Sequence, residues 1–561
     1  MKIIIVGGVA GGATAAARIR RLDEKARITI FERTGFISYA NCGLPYYLGE
    51  VITDPEELTL QTPESFFRRF NITAKVRHEV IDINPSAKTV TVKNLENGNI
   101  FSDNYDKLIL APGAKPFVPQ IPGVDSKRIF TLRTVEDTFR IKNFANSEKA
   151  KSAAVIGGGF AGIEIAENLR SLGMEVTLIE AGKQLLSPFD SDMASFIHSE
   201  IRKNGINLLL ESSVEAFSEN GGGTDILLKG RTIHTDMAIL AAGVSPENSL
   251  AKKAGLRLGV RGSIIVNEKM ETSVPNIYAV GDAVQVKNFV SGTESTIFLA
   301  GPANKQGRIA ADNICGIKSE YKGAVGSSAI KIFSLTAAST GINESAAKSA
   351  GIDFDKVILS PLSHAGYYPG GKVMTIKVLF EKKSFRLLGA QIIGYDGVDK
   401  RIDVLATALR CGMKATDLKD LELAYAPPYS SAKDPVNMAG FMIDNIANGT
   451  LKQWFISDLE NLPKNSCTLL DTRTAGEFER GHIEGFKNIP VDELREHLSE
   501  IEPGKPVYVI CQSGLRSYIA SRILEGNGFT AYNFAGGFRF YDSVMNDKRL
   551  TESSFPCGMD K

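Results

Sequence analysis

The chain has 561 residues, and division by a typical domain of about 150 residues predicts roughly four domains. A composition of 43% hydrophobic and 23% charged residues, with 53 Gly and 22 Pro, argues against disorder, collagen and coiled coil. The 65 Lys and Arg residues against 64 Asp and Glu leave a net charge of +1. That balance provides no overall field to attract nucleic acid or an anionic membrane, so neither is an expected partner.

The six cysteines are too sparse for a disulfide framework, and the absence of C-x-x-C spacing argues against a metal site. No run of about 18 apolar residues is available for a membrane span. The first residues superficially resemble a signal peptide, but glycines inside the apolar run favour a strand, a turn and a helix. We therefore expect a cytoplasmic protein.

In chain order, two segments repeat one another. Residues 2–32 and residues 153–180 each run from a hydrophobic strand through a glycine cluster and an amphipathic helix to a second strand. Each segment is typical of a βαβ unit. The repeat predicts two Rossmann-like nucleotide-binding domains of the α/β class.

The second glycine cluster has the more regular spacing. Gly157, Gly159 and Gly162 form G-x-G-x-x-G between a strand and a helix, and Glu180 ends the next strand. The glycines permit a tight turn and close approach of a pyrophosphate to the helix N-terminus. A carboxylate at Glu180 accepts hydrogen bonds from a ribose 2′-hydroxyl and repels a 2′-phosphate, so the pattern favours NADH over NADPH.

The first cluster is less regular, because Val9 replaces the middle glycine between Gly7 and Gly11. Glu32 again lies at a strand end, where it suits a ribose. Farther along, the strand before Gly281 ends beside Asp282, which is placed to reach the ribityl chain of a flavin. Two dinucleotide domains in one chain are most economically explained by a flavin and a pyridine nucleotide.

Together, VGGVAGGATAAARIRRL, SYANCGLPYYLGE, LILAPGA, GGGFAGIE and NIYAVGDAV resemble the flavin-dependent pyridine nucleotide–disulfide oxidoreductases, and more narrowly the coenzyme A-disulfide reductases. The resemblance covers residues 1 to about 445 and implies a C-terminal homodimerisation domain. It implies NAD(P)H at the second glycine cluster with Glu180. It implies that FAD is bound by Gly7, Gly8, Val9, Ala10, Gly11, Gly12, Glu32, Arg33, Ala111, Pro112, Gly113, Gly281 and Asp282.

Cys42 lies ten residues after Glu32, within SYANCGLP. Two-thiol flavin reductases have a second cysteine one helical turn later, but that position here is Tyr47. A single thiol must cycle with an external sulfur or as a sulfenic acid. We expect Cys42 to be redox-active, with its thiolate favoured by a helix N-terminus or a flavin face; an ordinary buried cysteine is the alternative.

The coenzyme A resemblance also implies a substrate site. Thr14, Arg18 and Arg21 are spaced by four and three residues on the first helix and so share a face. The resemblance implies that this face, with Ser38 and Asn41, contacts coenzyme A. Solvated helix charges are the alternative for the two arginines.

Two later motifs, HAGYYPGG and AYAPPYSSAKDPVN, also match the family. They imply that Tyr367 and Tyr425 of one subunit reach the redox cysteine of its partner and serve a leaving thiolate. They further imply that Lys433 meets a coenzyme A phosphate. Aromatic interface packing is the alternative.

Cys511 follows the strand VYVI and precedes a helix, in a loop of the form C-x₄-R that ends at Arg516. Such a loop turns backbone N–H groups inward and favours a thiolate. With LLDTRTAGEFERGHIEGFKNIP and FAGGF, residues 466–555 resemble a single rhodanese domain. The resemblance implies a cysteine that carries sulfane sulfur, a structural role for Asp471 and Arg473, and a loop shaped by Arg516. A silent rhodanese fold is the alternative.

The expected architecture is α/β, with two Rossmann-like domains, an α+β dimerisation domain and a C-terminal rhodanese domain. We expect a discontinuous FAD-binding domain (1–115 and 245–322), an NAD(P)H-binding domain (116–244), the dimerisation domain (323–446), a polar linker containing Trp454 (447–465) and the rhodanese domain (466–561). Cys315, Cys411, Cys467 and Cys557 are expected to be packing or surface thiols, with Cys557 in a mobile tail.

These features lead to the hypothesis of a homodimeric flavoprotein that reduces coenzyme A persulfide, polysulfide or coenzyme A disulfide with NAD(P)H, coupled to sulfane sulfur transfer at Cys511. Its partners would be small thiols, persulfides and disulfides. An NADH oxidase or peroxidase that uses a sulfenic acid at Cys42 is one alternative. A redox-sensing or sulfur-carrier protein with little turnover is another.

Overall fold

The computed structural model describes residues 1–463 and 465–553. The chain folds into two compact units, one of residues 1–185 and 205–326, the other of residues 186–204 and the described part of 327–561. The helices are α1 (Ala10–Leu22), α2 (Leu44–Leu48), α3 (Pro63–Phe70), α4 (Val135–Ser147), α5 (Phe160–Ser171), α6 (Ser191–Lys203), α7 (Ser249–Lys253), α8 (Ala300–Ile314), α9 (Glu344–Ser349), α10 (Val398–Arg410), α11 (Pro435–Ala447), α12 (Ala475–Glu479), α13 (Leu515–Gly526) and α14 (Gly537–Ser553).

The strands of the first unit are β1 (Lys2–Val6), β2 (Arg27–Phe31), β3 (Thr73–Lys75), β4 (His78–Asn84), β5 (Thr89–Asn94), β6 (Ile100–Asn104), β7 (Lys107–Leu110), β8 (Ala114–Pro116), β9 (Ile129–Thr131), β10 (Ser152–Ile156), β11 (Glu175–Ile179), β12 (Asn207–Leu209), β13 (Val214–Asn220), β14 (Gly223–Leu228), β15 (Arg231–Thr235), β16 (Met237–Leu240), β17 (Val244–Pro246), β18 (Ile277–Ala279), β19 (Val286–Lys287) and β20 (Glu294–Ser295). Those of the second unit are β21 (Ser328–Ile332), β22 (Leu335–Gly341), β23 (Phe354–Leu359), β24 (Thr375–Glu381), β25 (Leu387–Gly394), β26 (Gln453–Trp454), β27 (Thr468–Asp471), β28 (Lys487–Asn488), β29 (Val507–Ile510) and β30 (Ala531–Phe534).

Two five-stranded parallel sheets form the centre of the first unit. One has the order β18-β7-β1-β2-β3 and the other the order β12-β11-β10-β16-β9. Ile3, Ile4 and Ile5 of the central strand β1 are wholly buried. Such continuous apolar strands are typical of parallel sheets covered on both faces. The two glycine clusters therefore lie after equivalent central strands, β1 and β10, as the repeat predicts.

An antiparallel sheet with the order β21-β22-β25-β24-β23 organises the first part of the second unit. Every residue of β25 is buried, and α10 packs on this strand. The wholly buried Lys377 of β24 is compensated by three carboxylates, Asp190, Asp192 and Glu344, at 2.5–2.9 Å. A buried ammonium requires such pairing. Two of these carboxylates lie just before or within α6, which explains why this helix groups with the second unit.

A parallel sheet with the order β26-β30-β29-β27-β28 forms the C-terminal part of the second unit. Its edge strand β26 contains Trp454, which is 2% exposed and lies 4.4 Å, centroid to centroid, from the Phe534 ring. The structure therefore differs from the polar linker expected at 447–465, because part of that segment enters a hydrophobic core. Cys557 lies outside the described residues.

The mixed α/β class is confirmed, whereas the domain boundaries drawn from the sequence stay predictions. Within the described ranges, no helix combines the length and apolar character that crossing a bilayer requires.

Candidate functional site

The second glycine cluster has the geometry that its motif predicts. Gly157 has φ +114°, and a Cβ there would lie 2.3 Å from the Ala241 carbonyl oxygen. A Cβ at Gly162 would lie 1.9 Å from the Gly157 carbonyl oxygen, whereas one at Gly159 would meet open space. The outer glycines are therefore required by the fold, and the middle one leaves room beside the N-terminus of α5 for a pyrophosphate.

The acidic residue at the end of β11 holds this loop in place. The Glu180 carboxylate accepts hydrogen bonds from the backbone N–H groups of Gly158 and Gly182, both at 2.6 Å. The first nucleotide loop repeats the contact, since Glu32 accepts from Gly8 N–H at 2.9 Å. In both βαβ units a strand-end carboxylate thus lies against the glycine turn, where a nucleotide ribose is expected.

The first loop depends on two of its glycines. A Cβ at Gly7, which has φ +96°, would lie 2.2 Å from the Ala111 carbonyl oxygen, and one at Gly12 would lie 2.0 Å from the Gly7 carbonyl oxygen. Val9 replaces the middle glycine without disturbing α1, because it only precedes the first helical residue, Ala10.

A cleft of about 220 Å³ opens beside this loop. Its walls bring together residues that the sequence predicts for FAD: Gly7, Val9, Glu32, Arg33, Ala111, Pro112 and Gly113. His78, Lys253 and Arg133 also line it and were not predicted. These three residues lie far in the sequence from the predicted FAD-binding motifs, so no local pattern predicts their place in the cleft.

Arg133 links two predicted residues from separate motifs. Its Nη2 atom lies 2.9 Å from Asp282 Oδ2. In the orientation that satisfies both groups, the Asn41 amide donates to the Arg133 carbonyl and accepts from its guanidinium, each at 3.0 Å. Asn41, which directly precedes Cys42, and Asp282 are thereby fixed by one arginine.

Cys42 is exposed in a single 3₁₀ turn, Asn41–Gly43, directly before α2. Desolvation and the Glu164 carboxylate raise the pKa of its thiol, while Arg133 opposes them. Burial and carboxylate charge thus outweigh the N-terminus of α2, which has only five residues. Favouring of the thiolate by a flavin face stays a prediction.

Glu164 and Glu167 form a carboxylate pair that sequence analysis missed, although their i, i+3 spacing on α5 is visible. Burial and the Glu167 charge raise the pKa of Glu164 to about 7. Burial and this pair raise the pKa of Tyr46, on the adjacent α2, to about 12. The carboxyl group that raises the pKa of Cys42 therefore has a pKa near neutral pH itself.

The residues predicted for coenzyme A are only partly free to bind it. On α1, Thr14 Oγ1 donates to Asn304 Oδ1 at 2.5 Å, and Arg18 Nε donates to Asp312 Oδ1 at 2.7 Å. Both acceptors lie on α8, which packs along α1. Arg21 is exposed. Its charge is therefore the more accessible of the two predicted arginines.

Ser38 is held between the first nucleotide loop and the segment after Cys42. Its N–H donates to the Gly8 carbonyl at 2.8 Å, and its own carbonyl accepts from Leu60 N–H at 3.0 Å. Farther along the chain, α8 exposes Lys305 and Arg308 beside the α1 face. These two cations could not be predicted from the sequence, because the pairing of α1 with α8 is a long-range contact.

In the second unit, Tyr367 and Tyr425 form a pair whose hydroxyl oxygens are 2.6 Å apart. The side chains are 76% and 46% exposed, and their contact raises the pKa of Tyr425. Lys433 is exposed beside the buried Asp434, which Arg401 holds by a 3.1 Å ion pair. The predicted tyrosines are thus brought together on the surface of one chain.

Cys511 is wholly buried at the end of β29. Its Sγ accepts hydrogen bonds from Gly514 N–H and from the Ser517 hydroxyl, both at 3.1 Å. Gly514 has φ +100° and directly precedes α13, so the loop needs glycine there. The predicted inward-facing donor is present, and Ser517 adds a hydroxyl that the sequence reasoning missed.

Arg473 and Arg516, the arginines for which the sequence predicts a role, are both paired with carboxylates. Arg516 donates to the two oxygens of Glu477 at 2.7 and 2.8 Å. Arg473 forms a buried ion pair with Asp471 at 2.7 Å and lies over the Phe538 ring. These contacts support the structural roles implied for Arg473 and Arg516.

The remaining candidates are metal-ligand clusters and the other cysteines. Within residues 1–463 and 465–553, no group of three or more His, Cys, Asp and Glu side chains is placed to hold a metal ion. Cys42, Cys315, Cys411, Cys467 and Cys511 are free thiols.

Family models agree with the resemblance seen in the sequence. The pyridine nucleotide-disulphide oxidoreductase model matches residues 1–359, its dimerisation domain matches residues 327–435, and a rhodanese-like domain matches residues 455–542. The chain therefore belongs to the pyridine nucleotide-disulphide oxidoreductases, a FAD- and NAD(P)H-dependent family, and carries a rhodanese domain. The predicted enzyme class and the named domains are confirmed.

Individual relatives and solved structures are similar over most of the chain. A coenzyme A disulfide reductase of Staphylococcus aureus strain JH9 is 39% identical over 442 residues, which are 78% of this chain and 99% of that protein. The reduced Bacillus anthracis CoADR-RHD structure is 49% identical with a TM-score of 0.95, covering 97% of this chain and 98% of that one. An NAD-dependent persulfide reductase from A. fulgidus is 37% identical with a TM-score of 0.91, covering 96% and 100%.

Proposed function

We propose that this chain is an NADH-dependent FAD enzyme that reduces coenzyme A persulfide, polysulfide and coenzyme A disulfide at Cys42, as part of a homodimer in the cytoplasm. The observation that carries the proposal is the presence of two cysteine sites, Cys42 and Cys511, in one reductase–rhodanese chain. Position 47, where a second thiol would follow Cys42, is a tyrosine, so a substrate sulfur must serve as the exchange partner.

The nucleotide loops fit both cofactors. The open space at Gly159 and the carboxylate of Glu180 suit a pyrophosphate and an unphosphorylated ribose, which supports NADH over NADPH. The cleft beside Gly7 and Glu32 suits the FAD nucleotide. When bound, the two cofactors supply a two-electron redox couple.

The chain's own residues would carry the sulfur chemistry. The Cys42 thiolate attacks the inner sulfur of coenzyme A persulfide, forms a mixed disulfide and releases hydrosulfide. Two electrons and a proton then cleave the new S–S bond and restore the Cys42 thiolate and coenzyme A thiol. The net balance consumes NADH, H⁺ and coenzyme A persulfide and yields NAD⁺, coenzyme A thiol and H₂S.

We assign proton supply to the leaving sulfur to the Tyr367–Tyr425 pair of the partner subunit, because two hydroxyls 2.6 Å apart can share and pass one proton. Coenzyme A would be held by Thr14, Arg18, Arg21, Ser38, Asn41 and Lys433. Exposed Lys305 and Arg308 add charge suited to its phosphates. Cys511 would accept sulfane sulfur from a donor and pass it to coenzyme A or another small thiol.

The test is anaerobic NADH turnover compared across coenzyme A persulfide, polysulfide, coenzyme A disulfide and peroxide. We expect the sulfur acceptors to exceed peroxide, with Cys42→Ser inactive towards all of them. Preference for peroxide, or rapid NADH consumption with oxygen alone, would instead support a sulfenic-acid oxidase or peroxidase. Negligible turnover with every acceptor would support a sensor or sulfur carrier. Unchanged persulfide and polysulfide turnover in Cys511→Ser would contradict the sulfur relay.

A further inference from the structure

Between Cys511 and Arg516 the loop carries no charged side chain. Gln512, Ser513, Gly514 and Leu515 separate the cysteine from Arg516. The sulfur is instead stabilised by Gly514 N–H and the Ser517 hydroxyl. These neutral donors can stabilise one thiolate or persulfide charge, but they add no full positive charge for an anionic group attached to the incoming sulfur.

Arg516 lies near enough to act on Cys511, but its positive charge is offset by pairing with Glu477. The two side chains form a bidentate pair at 2.7 and 2.8 Å. Thr474 also donates to the Glu477 carboxylate, through its N–H at 2.9 Å. Hydrogen bonds from Arg516 and Thr474 lower the pKa of Glu477 to about 2, so the pair stays ionised at neutral pH.

The Arg473 guanidinium is likewise already paired within the protein. Its guanidinium donates to Asp471 at 2.7 Å and to the Gly481 carbonyl at 2.8 Å. Its Cζ lies 3.8 Å from the centre of the Phe538 ring, and Phe538 N–H donates to the Cys511 carbonyl. The Arg473 side chain is only 2% exposed. It therefore supports the Cys511 loop from inside the domain and is not accessible to a ligand.

The rim of the loop is apolar where α13 begins. Leu515 is 57% exposed and Ile519, one helical turn later, is 43% exposed. At i, i+4 spacing the two side chains share a face. An incoming donor therefore meets hydrocarbon beside the Cys511 loop, and desolvating an anionic group there would cost free energy without compensation.

We infer that Cys511 takes its sulfane sulfur from persulfides of organic thiols and discriminates against thiosulfate. The inference rests on the proposed sulfur-transfer role of Cys511. With a persulfide, the Cys511 thiolate attacks the terminal sulfur of R–S–SH, the donor S–S bond breaks, and the electron pair leaves on R–S⁻. With thiosulfate, the same attack expels sulfite, a dianion formed beside an apolar rim whose arginine is already paired with Glu477.

The experiment uses the full-length protein without NADH and measures how fast Cys511 becomes a persulfide, by quenched alkylation and peptide mass spectrometry. Coenzyme A persulfide and thiosulfate are compared at equal concentration and ionic strength, with Cys511→Ser as background. We expect the second-order rate constant for the persulfide to be about 100-fold larger, the scale of a missing charge-assisted contact. Equal rates, or faster reaction with thiosulfate, would overturn the inference while leaving sulfur transfer intact.

A gain-of-function variant adds a second test, in which the change in the persulfide-to-thiosulfate rate ratio is measured instead of its wild-type value. Leu515→Lys places a cation at the exposed rim and should lower the persulfide-to-thiosulfate ratio by about tenfold, as expected for one new ion pair. The matched control Leu515→Gln adds polarity without charge and should leave the ratio within about threefold of wild type. A ratio unmoved by the lysine would contradict the electrostatic argument. Failure of Cys511 to accept sulfur from either donor would overturn both the transfer proposal and this inference.

Discussion

Arg133 forms an ion pair of 2.9 Å with Asp282, a residue 149 positions later in the chain. The same arginine contacts the Asn41 amide through both its carbonyl and its guanidinium. Cys42 follows Asn41 directly, and the Arg133 charge lowers the pKa of Cys42 against the stronger effects of desolvation and Glu164. Arg133 thus connects the Gly281–Asp282 turn to the segment that carries Cys42, and its charge opposes the carboxylates that raise the pKa of the thiol.

Removing this charge should make Cys42 a weaker acid. In Arg133→Met we expect the pKa of Cys42 to rise further, because the nearby positive charge that favours the thiolate is lost. The pH dependence of iodoacetamide labelling, read on the Cys42 peptide by mass spectrometry, measures it. Arg133→Lys keeps the charge, so the Cys42 thiol of this variant should titrate nearer to its wild-type midpoint. Identical midpoints for Arg133→Met and wild type would show that the charge does not reach the sulfur.

Glu164→Gln should remove a pH-dependent cost to folding. Burial and Glu167 raise the pKa of Glu164 to about 7, above the unfolded value of about 4.3. The folded chain therefore binds the proton more tightly, and its stability falls as pH rises from about 4 to about 7. We expect the variant to gain about 1–2 kcal/mol relative to wild type at pH 8 and less at pH 5.

Thermal unfolding midpoints at the two pH values measure this difference. Glu175→Gln, an exposed change at the start of β11, is the matched control and should show no pH-dependent gain. An equal gain for Glu164→Gln at both pH values would rule out the titration as its cause. The same variant should also lower the pKa of Cys42, because the Glu164 charge raises it.

Ser517→Ala should slow alkylation of Cys511 at neutral pH by about tenfold or more, since a hydrogen bond to a charged group contributes about 1.5–3 kcal/mol. The hydroxyl lies 3.1 Å from Cys511 Sγ. The rate at which the Cys511 peptide is labelled, followed by mass spectrometry, provides the measurement. Ser521→Ala removes a buried hydroxyl one turn later that donates to the Ser517 carbonyl, so it should leave the rate unchanged. Equal slowing in the two variants would point to general loosening of α13.

Glu180→Gln should weaken the discrimination between NADH and NADPH. The carboxylate would repel a 2′-phosphate, whereas an amide of the same shape carries no charge. We expect the NADH-to-NADPH ratio of kcat/KM to fall by about tenfold. Glu175→Gln, at the opposite end of β11, should leave that ratio unchanged. A constant ratio in Glu180→Gln would assign nucleotide choice to other residues.

Local rules account for the parts of the site that the sequence predicts. Gly7 and Gly157 both occupy left-handed backbone positions against a facing carbonyl, which only glycine tolerates. Glu32 and Glu180 end the strand that follows each glycine helix, so their spacing in the sequence fixes their position. Cys511 is likewise identified by a loop whose length sets its geometry.

The unpredicted parts depend on contacts between distant segments. Arg133 meets Asn41 and Asp282 only because the fold brings three separate loops together. The raised pKa of Cys42 could not be read from its own flanking residues, since Glu164 comes from α5. The residues around Trp454 are polar and predict a connector. Its burial could not be predicted from them, because it depends on Phe534, 80 residues later.

Helix α6 has a consequence for how such proteins gain or lose their C-terminal domain. It is encoded between β11 and β12, yet His198 and Arg202 contact Asp547 of α14, and the Phe196 ring lies 6.1 Å from that of Phe540. His198 is only 1% exposed. A chain ending near residue 446 would open this surface to water. In relatives of that shorter length, such as the Staphylococcus aureus protein, we expect compensating substitutions on α6.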